Sequence, residues 1–217
     1  MVKRERTVEE TLYHLQGGKV LWADYEFFAN IFGLRADKIG ELDEEIIENY
    51  CWISKPHSLD NEVHSGVDLS GPSITAIRPE NYGRAAIIKV RGFLYDVKGV
   101  GVRSDLVPSL EPYSSGLLPE TVAINELYTQ RVFARIFASE YRISTVPCLG
   151  IIELPITAAD RPGSKIKLPQ AILIRPYRPR EQIAGSEDQI NNQNWIRFSA
   201  EMRLRRYGIT SCAPRNM

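Results

Sequence analysis

The stretch from Gly83 to Glu126 constrains the chain most. It opens with GRAAIIKV, a short apolar run rich in β-branched residues, and continues with FLYDVKG, which alternates well enough to be the neighbouring strand. Arg91-Gly92 between the runs allows a tight connection. The second strand delivers Lys98 into a turn lined by Gly99 and Gly101, and a long loop with Pro108, Pro112 and Gly116 follows. Pro119 is placed for the first turn of a helix, where its missing N–H is harmless. Along that helix Ala123, Leu127, Ala134 and Phe137 recur at helical spacing, which predicts one buried face with Glu126 beside it. Two strands and a helix thus carry a lysine and a glutamate toward each other.

The flanking sequence predicts an α+β chain. Over residues 1–52 helices are expected: Thr7 followed by Glu10 fits a capping box, WADYEFFANIFGL ends at Gly33, and LDEEIIENY has helical periodicity. Trp22, Tyr25, Phe27, Phe28 and Phe32 read as packing surface, with a partner surface as the alternative. Residues 53–74 are polar, carry His57 and His64, and read as a loop; no cysteine or carboxylate at ligand spacing supports a metal there. After the central stretch, TVPCLGIIEL and PQAILIRPY read as strands of a hairpin with a long loop around Asp160-Arg161-Pro162-Gly163. Arg175, Arg178 and Arg180 fall at or just after the second strand. A last helix is expected over residues 187–206, with Trp195, Ile196, Phe198, Met202 and Leu204 mixed into a polar sequence.

Composition excludes some classes. Lys+Arg and Asp+Glu both count 27 in 217 residues, so net charge gives no ground for nucleic-acid or anionic-membrane binding. No apolar run approaches a membrane span, and no long apolar stretch follows the basic start MVKRERTVEE. Cys51, Cys148 and Cys212 are odd in number and far apart, which reads as reduced thiols in a cytoplasmic protein. His14, His57 and His64 all lie in the first third and no G-x-S-x-G elbow occurs, which argues against triad-type hydrolysis.

A lysine on a central strand paired with a glutamate on the next helix is how protein-kinase-like folds hold nucleotide phosphates. In order and in residues the chain resembles the selenoprotein O family, kinase-like proteins that transfer AMP from ATP to protein hydroxyls. NYGRAAIIKV is similar to the family's GDGRA and its strand, Lys98-Gly99-Val100-Gly101 to KGAG, Pro112-Tyr113-Ser114 to PYSR, and AINEL to the helix segment SIREF. YRISTVPCLGII and AILIRPYRPR are similar to two later family elements, and ANIFGLRADKIGEL to the segment before the nucleotide loop.

The resemblance implies an α+β kinase-like N-terminal lobe (an antiparallel sheet plus the helix C equivalent) over residues 74–180. Residues 1–73 would be a helical N-terminal extension and loop, and 181–217 a linker and the start of a helical C-terminal lobe. It implies that Lys98 contacts ATP phosphates under an ion pair with Glu126, beside Gly99 and Gly101. Arg175 would reach the terminal phosphate, with Arg178 or Arg180 as its partner, and Asn216 would bind Mg2+ or Mn2+. The implied acceptor is a protein hydroxyl, with a small molecule left open.

Three departures bear on activity. The loop expected to be glycine-rich reads SGPSITAIRPE with Gly71 as its only glycine, Ser115-Gly116 replaces the arginine after PYS, and Arg215 stands beside Asn216 where an acidic residue is expected. No aspartate follows before Met217. The expectation is therefore nucleotide binding with little turnover by this chain alone, the remainder lying in a longer product, in a second chain, or lost. Two alternatives stay open: a pseudokinase or scaffold acting through protein–protein binding, and an unrelated small α+β subunit in which Lys98 and Glu126 never meet.

Overall fold

A computed structural model describes residues 7–55, 67–79, 84–106, 115–140, 146–159 and 165–177. All of them fall within one compact unit, Arg6–Arg178. The architecture is mixed α+β: a curled antiparallel sheet of eight strands and three helices among the described residues. The elements are β1 (Thr7–His14), β2 (Lys19–Ala23), α1 (Tyr25–Phe32), α2 (Ile39–Tyr50), β3 (Trp52–Ser54), β4 (Ser73–Pro79), β5 (Ala85–Val90), β6 (Phe93–Lys98), α3 (Glu120–Glu140), β7 (Gly150–Ala159) and β8 (Lys167–Pro176). The sheet order is β2-β7-β8-β6-β5-β4-β1-β3.

The first helix expected from the sequence is a strand. Thr7–His14 pairs with β4 over seven positions, from Thr7↔Pro79 to Tyr13↔Ser73, so its backbone groups are satisfied across the sheet. Glu10, expected to cap a helix, is buried instead. Trp22 likewise belongs to β2, and the helix there begins only at Tyr25, where Asp24 caps it by accepting from the Phe27 N–H (3.1 Å). Gly33 ends it in the left-handed conformation, as expected. Strands therefore enter the sheet from both sides of residue 73, and the part before it is only partly helical. α2 buries Leu42, Ile46 and Tyr50, spaced four apart on one face. β3 and β4 trim the expected loop at both ends, and His57 and His64 lie outside the described residues.

The central hairpin is as read from the sequence. Arg91 (φ 50°) and Gly92 (φ 88°) both take positive φ, the requirement of the two-residue turn whose twist matches its flanking strands. β5 and β6 pair from Ala85↔Lys98 to Val90↔Phe93, and β7 and β8 pair from Gly150↔Ile174 to Ala159↔Lys167. The helix expected over residues 187–206 lies outside the described residues.

The sheet separates two apolar layers. On one face Leu12, Phe28, Leu42, Ile46, Tyr50, Tyr95, Val97, Ile152, Ile172 and Ile174 form the main core under α1 and α2. Phe28 and Tyr50 meet edge to face at 5.6 Å, and Tyr50 and Tyr95 at 5.1 Å, so most of the aromatic cluster is packing surface. On the other face Leu118, Ala123, Cys148, Ile151, Ala171 and Leu173 form a smaller core under α3, with Trp22 packed against it. Among the described residues no helix is long and apolar enough to cross a membrane.

Candidate functional site

Strand alternation decides which side chains reach the α3 face. Tyr95 and Val97 belong to the main core, so Asp96 and Lys98 point to the opposite face. On β8, Ile172 and Ile174 face the main core, while Ala171 and Leu173 lie under α3, and Arg175 continues that set. The register places Asp96 opposite Arg175 and Lys98 opposite Leu173. On the other side of β6, Lys98 pairs with Ala85.

Glu126 comes from the second turn of α3. The Pro119 carbonyl accepts from the Val122 (2.9 Å) and Ala123 (3.0 Å) N–H groups, setting the helix start, and Ala123 is fully buried. Glu126 lies beside that buried position, and its Oε1 accepts from Lys98 Nζ. The Lys98 side chain is only 13% exposed. Burial pushes its ammonium below the ordinary lysine range; the Glu126 charge and hydrogen bond oppose that, while Arg175 and Arg84 reinforce it. Glu126, Arg175 and Arg84 therefore all lie near enough to act electrostatically on the Lys98 ammonium. Nε of Arg175 is buried without a hydrogen-bond partner.

The glycines after Lys98 have steric work. Gly99 sits at φ +100°, where a Cβ would stand 2.3 Å from the Ala171 carbonyl oxygen and 2.9 Å from Leu118 Cβ. The Gly99 N–H donates to the Arg84 carbonyl (2.8 Å), closing the turn on β5. Gly101 (φ +94°) carries the chain on toward β3, where the Ser54 N–H donates to the Val100 carbonyl (2.6 Å).

Of the residues expected at the site, the structure brings Lys98, Glu126 and Arg175 to one face and places Gly99 and Gly101 in the turn beside them. Arg178, Arg180 and Asn216 lie outside the described residues. Sequence reading missed Arg84 and Asp96. Asp96 was within reach of it, since a residue two before Lys98 on a strand shares its face. Cys148 borders the same face, and burial pushes its thiol up to about 12, so it is no nucleophile at neutral pH. Among the described residues no three His, Cys, Asp or Glu side chains gather to hold a metal ion.

Chemically, a shielded ammonium oriented by a carboxylate, with two guanidinium groups acting on it, can hold an oxyanion with several charges. Comparison of the chain with protein-family models and with curated proteins gives no match.

Proposed function

We propose that this chain is the ATP-binding portion of a selenoprotein O-like transferase, which moves AMP or phosphate from ATP to a hydroxyl of a protein or small molecule. The observation that carries the reading is the ion pair between Lys98 and Glu126, joined on the same face by Arg175. In protein kinases the corresponding lysine is on the third strand and its glutamate on the helix that follows. Counting from β4, Lys98 ends the third strand and Glu126 lies on the next helix. β7 and β8 then return so that β8 lies beside the lysine strand. This arrangement supports reading β4–β8 with α3 as a kinase-like N-terminal lobe.

In this reading Lys98 Nζ donates to phosphate oxygens, and Glu126 holds its flexible stem in place. Arg175, whose strand position opposite Asp96 puts it on the same face as Lys98, offers a guanidinium fork to a second phosphate. In this reading ATP supplies the transferred group, and magnesium enters with it as its counter-ion. The same reading carries the expectation that this chain by itself favours nucleotide binding over turnover. A cytoplasmic setting belongs to the same proposal, as does completion of the site by Asn216 with a further segment or second chain.

The contact between Lys98 and Glu126 counts against the alternative in which these residues never meet. The test is calorimetric titration of MgATP into the full chain, Lys98→Ala and Arg175→Ala. Binding by the intact chain, weakened at least tenfold in both variants, is expected. Equal binding by all three, or none by the intact chain, would sink the assignment.

A further inference from the structure

A second polar cluster lies on the β4-β1-β3 side of the sheet, and the phosphate reading does not use it. Arg78 on β4 is fully buried. Its guanidinium donates to Ser54 Oγ (2.9 Å) and to the Gly101 carbonyl (2.8 Å), and stands 3.3 Å from Glu10 Oε2 on β1. Glu10, also buried, accepts through Oε1 from the Ser104 N–H (2.7 Å). Taking two charges out of water is costly, and well-packed apolar residues of similar volume often serve stability as well. Such a pair is therefore poorly explained by stability alone.

The cluster holds the turn that leaves Lys98. Arg78 grips Gly101, Ser54 grips Val100, and Glu10 grips Ser104. That same turn holds the approach to α3: the Gly101 N–H donates to the Gly116 carbonyl (3.2 Å) and the Val102 N–H to the Ser115 carbonyl (2.8 Å). The fit there is close, since a Cβ on Gly116 would lie 2.3 Å from the Val102 nitrogen. The Leu118 carbonyl then accepts from the Ala171 N–H on β8 (2.7 Å), and α3 starts two residues later. Hydrogen bonds and the short runs of backbone between them thus tie the turn after Lys98 to the segment that leads into the helix of Glu126.

We propose that the buried Arg78–Glu10 pair is a positioning device for the Lys98–Glu126 ion pair, locking the end of β6 and the start of α3 into one register. Arg78 is a positioning residue: it acts through the backbone of Gly101 and, beyond it, Gly116. The inference rests on Lys98 and Glu126 being the phosphate-holding pair, but its geometry does not require a bound nucleotide.

The experiment is a double-mutant cycle of Lys98→Met and Glu126→Gln in the full chain, read as shifts of the urea midpoint. It is run with Arg78 intact and again with Arg78→Lys, which keeps the charge opposite Glu10 but loses the planar fork. The non-additivity seen with arginine is expected to fall by at least half with lysine, and MgATP to bind about tenfold more weakly. Where Arg78→Lys does not fold, Glu10→Gln takes its place with the same expectation. An additive cycle in the intact protein, or coupling unchanged by either variant, overturns the proposal. Coupling lost as expected, with no MgATP binding by the intact chain, upholds the positioning role and overturns only the nucleotide reading.

Discussion

Gly99→Ala separates backbone strain from crowding, because Gly92 supplies its control. Both glycines take positive φ, +100° at Gly99 and +88° at Gly92. An L-residue in the left-handed region costs roughly 1–2 kcal/mol. At Gly92 a Cβ meets nothing within 4 Å, so that is the whole expected loss. At Gly99 the Cβ would stand 2.3 Å from the carbonyl oxygen of Ala171, against an ordinary contact of about 3.3 Å, so something must move by about 1 Å. The obstacle is backbone: Ala171 lies on β8 between β7 and β6, and its N–H holds the Leu118 carbonyl. Overpacking of this kind adds about 1–3 kcal/mol, giving about 2–5 kcal/mol in total for Gly99→Ala. Against a typical domain stability of about 5–15 kcal/mol, that loss is large and measurable. Urea unfolding followed by circular dichroism and tryptophan fluorescence reads it, with a common slope assumed only where the slopes agree. Equal losses for Gly92→Ala and Gly99→Ala would refute the steric argument.

Three further outcomes are expected. Replacing both partners of the site pair, Lys98→Met with Glu126→Leu, should leave unfolding free energy within about 1 kcal/mol of wild type or above it, because the desolvation of two charges is removed together; urea unfolding checks this, and MgATP binding should be lost. The depressed Lys98 ammonium makes stability depend on pH: between its folded value and the ordinary 10.5 the unfolded chain holds the proton and the folded chain does not. Wild type should therefore gain stability relative to Lys98→Met as pH rises toward 10.5, and a gap that stays flat or moves the other way contradicts the sign. Burial pushes the Cys51 and Cys148 thiols up to about 12. At pH 8 a thiol reagent should label both far more slowly in the folded chain than in urea, and site-resolved mass spectrometry would show the reverse if they were accessible.

Much of the central region was legible because its signals are local. Arg91-Gly92 dictates a tight turn by its own backbone preferences, alternation along FLYDVKG assigns Lys98 a face, and Pro119 marks the start of the helix bearing Glu126. The amphipathic period of LDEEIIENY likewise gave α2 its buried stripe of Leu42, Ile46 and Tyr50. The N-terminal segment failed for the converse reason. TVEETLYH suits a capped helix as well as it suits a strand, and nothing within those residues reveals that β4 lies ready to pair with them.

By itself, then, the sequence determined an α+β chain with a lysine strand, a following glutamate helix and a glycine turn between them. Those features depend on residues near in sequence, whose spacing fixes which face each side chain takes. The tertiary structure alone decided that Lys98 and Glu126 meet, that Arg175 joins them from β8, and that Arg84 acts on the same ammonium. It alone turned Glu10 from a helix cap into the buried partner of Arg78, accepting from Ser104 across 94 positions of chain. Contacts at such separation are set by which strands become neighbours, and strand order is a property of the whole sheet that no local window encodes.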